Sequence, residues 1–334
     1  MSSRDEVLSL LRGEEAFLSG QELSRRLGLS RAAIWKAVDT LRREGYEIEA
    51  RTGLGYRLCA APDALTEAEI RSFLGETAVI GRKLFCFDQL DSTNNYAKAL
   101  AQSGAPGGAA VIADSQTAGR GRMERSFQSP KGQGIYLSVL LRPQLPPERL
   151  LPATALAGVA VCAAVERVCG TRPGLKWPND PVLKGKKLCG ILTEMSLEAE
   201  TGRLQSLVLG IGINVGQRPG DFTPEVQEMA ISLLQALGKP VSRPQLTAAL
   251  LEELDRAYAA LLAGDLSAYR EAYRRDCVNL GKTVQLLPFG GGRELAQALD
   301  VDEEFSLVVR GEDGRERTIR SGEVSVRGLW GYSE

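Results

Sequence analysis

The sequence predicts an α+β chain built from more than one domain, and three observations carry that expectation. At 334 residues the chain exceeds what one hydrophobic core comfortably organises. Its first sixty residues read as short capped helices followed by an alternating hairpin, whereas the region beyond alternates strands with helices. Several of those later strands follow one another with no helix between them. That favours a mixed or antiparallel sheet with helices on one side over a doubly wound parallel sheet.

At the N-terminus, Ser3 with Glu6 and Ser19 with Glu22 have the S-x-x-E spacing of a capping box, so two short helices are expected to start there. The second runs Gly20–Leu27 and breaks at Gly28. Ser30 then caps a third helix with Ile34, Val38 and Leu41 on one face. After Gly45 the pattern alternates, with Tyr46, Ile48 and Ala50 on one face, a turn at Thr52–Gly55, and Tyr56 and Leu58 beyond. Three helices and a hairpin make a winged helix-turn-helix over residues 1–62. Between Arg25 and Arg43 there are six basic side chains (Arg25, Arg26, Arg31, Lys36, Arg42, Arg43) against the single acid Asp39, as contact with DNA phosphates requires. Ser30, Arg31, Ala32, Trp35 and Lys36 occupy the start of the recognition helix, where side chains reach base edges, and Arg51 lies in the wing. A protein-contact module with a solvated basic face is the alternative, and Trp35 suits packing beneath the wing equally well.

Ala60-Ala61-Pro62-Asp63 reads as a linker, and Thr66 with Glu69 caps the next helix. Strands are expected at 83–87, 109–114, 135–141, 175–177, 187–196 and 204–211, with a helix after Thr93 and a long one at 152–169. Four segments suit polyanion chemistry better than packing. In Asp91-Ser92-Thr93-Asn94, hydroxyls and an amide meet a strand end and a helix start, although plain helix capping also explains Ser92 or Thr93. In Ser115–Arg125, Gly119 and Gly121 alternate with Arg120 and Arg122. Such a backbone can wrap an anion while the guanidiniums bond it, and the segment is expected to be mobile when empty and ordered by ligand. Lys176-Trp177-Pro178-Asn179-Asp180 places a lysine at a strand end beside a proline that stiffens the backbone. Gly210-Ile211-Gly212-Ile213-Asn214 lets a ligand approach the main chain, though close strand packing needs glycine too.

Composition narrows the chemistry. Apolar residues at 43% and charged residues at 25% are ordinary globular values, and no signal peptide or membrane span is expected. The six cysteines include no C-x-x-C pair, which points to buried free thiols in a reducing, cytoplasmic setting. There is no histidine, so imidazole catalysis and His-ligated metals are excluded and no protein metal site is expected. Lysine, arginine, carboxylates and backbone amides must do the work.

Taken in order, the winged helix, Gly119-Arg120-Gly121-Arg122, Lys176–Asp180, Lys187 before Gly190-Ile191-Leu192, Gly210–Asn214 and Ser321-Gly322-Glu323-Val324 make the chain resemble the biotin–protein ligases, specifically the bifunctional kind that also represses biotin-synthesis genes. The resemblance implies a class II synthetase-like catalytic domain at 63–277 and an SH3-like small β-barrel at 278–334, in keeping with short alternating runs at 284–287, 295–299, 305–309 and 317–319. It implies that Ser92, Thr93, Asn94, Gln116, Gly119, Arg120, Gly121, Arg122 and Lys176 line the biotin or biotinyl-adenylate site, with Asn179, Lys187 and Asn214 toward the nucleotide. ATP and biotin would be substrates, Mg²⁺ would accompany ATP, and Lys176, Arg120 and Arg122 would stabilise charge during adenylation. Asp180 is the candidate base for the acceptor lysine, or else only caps a turn. The implied partners are a biotin carboxyl carrier protein, operator DNA and a second copy of the chain in a ligand-induced homodimer. This sequence departs from the family at Glu124 (usually glycine), Phe127 (usually tryptophan) and Pro181 (usually aliphatic). An acid beside bound phosphate weakens retention unless Arg125 neutralises it. A lipoate or octanoate ligase shares the pinned lysine but generally lacks the winged helix and the polar Ser-Thr-Asn and Gln116 set. A ligand-sensing repressor with decayed ligase activity would not need Lys176 and Arg120.

Overall fold

The computed structural model describes residues 2–122, 125–198, 200–288, 292–320 and 324–327. Two compact units emerge, Met1–Ala64 and Leu65–Glu334.

The first unit contains α1 (Ser3–Arg12), α2 (Gly20–Leu27), α3 (Arg31–Arg43), β1 (Glu47–Arg51) and β2 (Gly55–Ala60). Its capping differs from expectation at α1. Ser2, not Ser3, is the N-cap, and the box closes with Asp5 because that pair satisfies both exposed amides one residue earlier. Ser19 caps α2 as expected, but the Glu22 carboxylate turns outward to Arg25 and Arg26 and leaves its box open. Val7, Leu11, Leu23, Ile34, Val38, Leu41, Tyr46 and Ile48 form the core. Ala50, close to the turn, is exposed rather than facing inward with Tyr46 and Ile48. Leu18, between α1 and α2, exchanges two backbone hydrogen bonds of 2.8 Å with Tyr56. That rung runs so close to Gly55 that a Cβ there would sit 2.0 Å from the Leu18 carbonyl oxygen, at a φ of +109°.

The second unit begins with α4 (Glu67–Arg71), β3 (Lys83–Phe87), α5 (Thr93–Gln102), β4 (Ala109–Ala113), β5 (Gly134–Leu141) and α6 (Ala153–Cys169). It continues with β6 (Gly174–Lys176), β7 (Asp180–Leu183), β8 (Lys186–Lys187), β9 (Cys189–Leu197) and β10 (Leu204–Asn214). Helices α7 (Pro224–Met229), α8 (Leu233–Leu237), α9 (Arg243–Ala263) and α10 (Ser267–Asp276) follow, then β11 (Thr283–Pro288), β12 (Glu294–Val301), β13 (Leu307–Gly311), β14 (Glu316–Ile319) and β15 (Val324–Arg327). The main sheet has the order β3-β4-β5-β10-β9 and is mixed, because β3 and β4 are parallel and the other pairs antiparallel. Ile112, Leu137, Val139, Leu207 and Leu209 share one core with α6 and α9. Alternate residues Ala109, Val111, Leu140 and Val208 share another with Ala97 of α5, so the long helices bank on one face and α5 covers part of the other.

Helix α9 was not anticipated from the sequence, although Ser242 caps its start and Gly264 its end. One segment among the described residues reaches membrane-spanning length. The stretch Pro147–Cys169 is long and apolar enough, yet 67% of its window is buried in the protein, because α6 is the core helix beneath the sheet and against α9. The cysteines are free; Cys162, Cys189 and Cys277 are buried as expected, and Cys59 is exposed. The C-terminal strands form a small antiparallel sheet in the order β14-β13-β12-β11-β15. Phe305, expected inside a strand, instead has a φ of +61°, in a turn where Asp302 accepts hydrogen bonds from the Glu304 and Ser306 amides.

Replacing Gly55 by alanine forces both an unfavourable φ and a backbone collision. Gly55→Ala should destabilise the first unit by about 3 kcal/mol, read as a lower first melting transition in calorimetry of the full chain.

Candidate active site

A cavity of about 860 Å³ opens in the second unit. Its size suits a drug-sized or nucleotide-sized ligand. Twelve of the expected site residues line it: Ser92, Thr93, Asn94, Gln116, Arg120, Gly121, Arg122, Lys176, Asn179, Asp180, Lys187 and Asn214. Gly119 does not. A Cβ at Gly119 would fall 2.4 Å from the Phe127 carbonyl oxygen and 2.7 Å from Ser129 Oγ, so this glycine lets the loop close on itself rather than meeting ligand.

One wall is the start of α5. Ser92 is its N-cap residue, but its side chain makes no capping bond, so the capping explanation does not account for this buried hydroxyl. Thr93 donates to Gln116 Oε1 through its backbone N–H (2.9 Å) and its hydroxyl (3.1 Å), while Gln116 Nε2 donates to Ser129 Oγ (2.8 Å). Asn94 is pressed against the main chain of β10. A Cβ on Gly210 would lie 2.1 Å from Asn94 Oδ1. Ser138 lies 2.6 Å from that oxygen, and Asn94 Nδ2 donates to Glu194 at 2.8 Å. Burial would raise the Glu194 carboxyl, but hydrogen bonds from Lys98 and Asn94 more than reverse this and hold its pKa below the usual carboxylate range. Sequence reasoning missed Ser129, Ser138, Glu194 and Lys98. None belongs to a recognisable motif, and only the interruption of an apolar strand by Ser138 and Glu194 could have singled any out.

The described arms of the Gly-Arg loop pair with each other. Gly121 N–H donates to the Arg125 carbonyl (2.7 Å) and Phe127 N–H to that of Gly119 (2.8 Å). The Phe127 ring rests on β9 and β10, where a Cβ on Gly212 would come within 2.5 Å of it and one on Gly190 within 3.2 Å. Arg122 donates to Asn179 Oδ1 (3.1 Å), and Asn179 Nδ2 donates to the Ile191 carbonyl (2.8 Å). Burial pulls the Arg122 pKa below its ordinary value, opposed by the charge of Asp180. A guanidinium stripped of water and facing mainly an amide is a ready partner for an anion. Glu124, in the same loop, and Ser321–Glu323 lie outside the described residues.

Lys176, 6% exposed, ends β6. The next residue, Trp177, is 1% exposed, and both of its N–H groups are satisfied from the C-terminal region. Its backbone N–H donates to Asn279 Oδ1 (2.7 Å) and its indole Nε1–H to the Phe305 carbonyl (2.9 Å). Tyr273 Oη donates to the Pro178 carbonyl at 3.1 Å. Asp180 pairs with Lys187 at 2.5 Å. The Asn214 side chain is tied inward, donating to the Ile231 carbonyl and accepting from Gln217, both at 3.3 Å.

In the first unit, Trp35 is 61% exposed rather than packed beneath the wing. Ser30, Arg31, Ala32 and Lys36 are exposed as well. Arg25, Arg26 and Arg43 are paired with acids, and Arg42 donates to the Ile48 carbonyl. Among the described residues Arg31 bonds only the neutral Gln21, and Arg51 pairs with Glu49 over the ring of Phe17. The charge open to phosphate is thus carried by Arg31 and Lys36 more than by the whole basic run.

Comparison with known proteins agrees with this division. Residues 4–57 match the HTH domain model, and residues 86–214 match the biotin/lipoate A/B protein ligase family. The bifunctional ligase/repressor BirA of Bacillus subtilis is 40% identical over 310 residues, covering 93% of this chain and 94% of its own. The bifunctional ligase/repressor BirA of Escherichia coli is 30% identical, with 96% of each chain covered. The solved biotin protein ligase from Aquifex aeolicus in complex with biotin and ATP superposes with a TM-score of 0.64 at 29% identity, covering 74% of this chain and 99% of that one. With relatives this similar along nearly its whole length, the chain belongs to the bifunctional ligase/repressor BirA family of biotin–protein ligases.

Proposed function

We propose that the cavity binds biotin and ATP, forms biotinyl-5′-AMP, and transfers biotin to a lysine of a biotin carboxyl carrier protein in the cytoplasm. The observation that carries this reading is that two loop guanidiniums and one buried ammonium line the same cavity as the polar cluster at the start of α5. A carboxylate and a triphosphate repel each other, and a site that joins them must supply fixed positive charge. In the first step a biotin carboxylate oxygen attacks the α-phosphorus, a new P–O bond forms and pyrophosphate leaves. Lys176, Arg120 and Arg122 stabilise the charge gathered there. Mg²⁺ enters with ATP as part of the substrate. Thr93, Asn94 and Ser92 suit the polar ring of biotin, with Gln116 as support beneath Thr93, while Asn179, Lys187 and Asn214 lie toward the nucleotide. The loop 115–125 closes over the mixed anhydride and keeps water from it.

In the second step the acceptor amine attacks the acyl carbon and AMP leaves. At a reference pKa near 10.4 about one amine in 2500 is neutral at pH 7, so a proton acceptor matters. Asp180 takes that role, and its pairing with Lys187 also holds Lys187 against the nucleotide side. The first unit binds operator DNA through Ser30, Arg31, Ala32, Trp35, Lys36 and Arg51, and ligand-induced pairing of two chains brings two such units to a palindromic site.

Lys176→Met should lower biotin-dependent pyrophosphate exchange by about 10²–10³-fold, and near-normal exchange would remove the lysine from the reaction. Asp180→Asn, given preformed adenylate, should transfer biotin to the acceptor about 10–100-fold more slowly; a normal rate leaves Asp180 as the anchor of Lys187 alone. In DNA-binding titrations, biotin together with ATP should tighten operator binding where ATP alone does not. Lys36→Ala should reduce the slope of log affinity against log salt by about 1.

A further inference from the structure

Glu194, in the middle of β9, gathers three donors from two different segments, helix α5 and the Gly-Arg loop. Asn94 Nδ2 bonds one carboxylate oxygen at 2.8 Å. Lys98 Nζ lies 2.5 Å from the other oxygen, and Arg120 Nη1 lies 3.3 Å from that same oxygen. These distances rank the partners. Charge-assisted bonds run near 2.7–2.9 Å, so Lys98 and Asn94 are held and Arg120 is only loosely engaged. The second contact of Arg120, to Asn95 Oδ1, is equally long at 3.4 Å. Asn94 cannot swing away, because its amide is sunk against the backbone of Gly210. The member able to leave is therefore Arg120, whose side chain is 43% exposed and whose planar fork matches the oxygens of a phosphate or carboxylate better than an ammonium does.

We infer that Glu194 is a positioning residue that holds Arg120 at the cavity and surrenders it to the anionic group of the substrate on binding, with Lys98 staying behind to neutralise Glu194. The inference rests on the reading of the cavity as a biotin and ATP site. It makes Glu194 a competitor of the ligand for one guanidinium, so the two substitutions that weaken the cluster act in opposite directions. Without the Glu194 charge, Arg120 is free for ligand. Without Lys98, Glu194 grips Arg120 harder. A purely structural role, through Asn94 and the start of α5, would instead make both substitutions harmful.

The test is calorimetric titration of ATP and, separately, biotin into the full chain carrying Glu194→Gln, Lys98→Met, Arg120→Ala and the two doubles with Arg120→Ala. Glutamine keeps an oxygen for Asn94, so the start of α5 retains its bond. Glu194→Gln is expected to tighten binding of ATP by about threefold to tenfold and Lys98→Met to weaken it by a similar factor. Both effects should disappear when Arg120 is already alanine. Loss of affinity in Glu194→Gln as well as in Lys98→Met overturns the inference, as does persistence of either effect at full size without Arg120, which would mark a general field rather than a handover. Absence of ATP and biotin binding in the unsubstituted protein would instead overturn the reading of the cavity, and the inference with it.

Discussion

The whole arrangement of the cavity depends on how the indole of Trp177 is buried. An indole taken from water without a hydrogen-bond partner costs several kcal/mol, and here that partner is the Phe305 carbonyl, far along the chain. Asn279 does the same for the backbone N–H of the same residue. Val278 adds a backbone bond to the carbonyl of Leu175, one residue before Lys176. The strand end that presents Lys176 is thus fastened from the C-terminal side at three places, and Val326 of the small sheet reaches the cavity itself. The small sheet therefore contributes Val326 to the site, and the segments leading into it help to set the position of the Lys176 strand end.

The glycines of β10 serve the close packing that the sequence left open beside ligand approach. Glycine beside an anion site is usually explained by close approach of ligand to main chain. At Gly210 and Gly212 the space is filled by protein: Asn94 occupies one and Phe127 the other. Two side chains from remote segments are thereby seated on β10 at adjacent positions of one strand face, and the sheet becomes the ruler against which the start of α5 and the arginine loop are both set. A smaller ring at Phe127, compared with the tryptophan common in the family, sits in a notch that any Cβ would close.

What could be read from the residues alone was whatever depends on local chemistry. The strand limits of β3, the caps of α2 and α3, and the ordered polar segments were legible because periodicity, N-cap residues and glycine–arginine clustering act over a few neighbours. Where two local solutions compete, as with Ser2 and Ser3, spacing alone chose wrongly. The residues that escaped, Glu194, Lys98, Ser138 and Ser129, matter only through partners some ten to a hundred positions away. Helix α9 escaped for another reason: its apolar surface is so wide that no stripe stands out. Helix α3 and its exposed Trp35 show the converse case, since the identity of the residue was plain but its side of the helix was decided only by packing.

The burial of α6 also sets an order of events during synthesis. Its principal helical partner, α9, begins at Arg243, more than seventy residues after α6 ends at Cys169. At translation speeds of roughly 5–20 residues per second, the ribosome needs on the order of 4–15 s to reach the start of that partner. During this interval the growing chain carries a greasy helix of bilayer-crossing length with nothing yet made to cover its far side. The hazard of misrouting or clumping is therefore greatest before the polypeptide is finished, and it ends when α9 emerges and folds down.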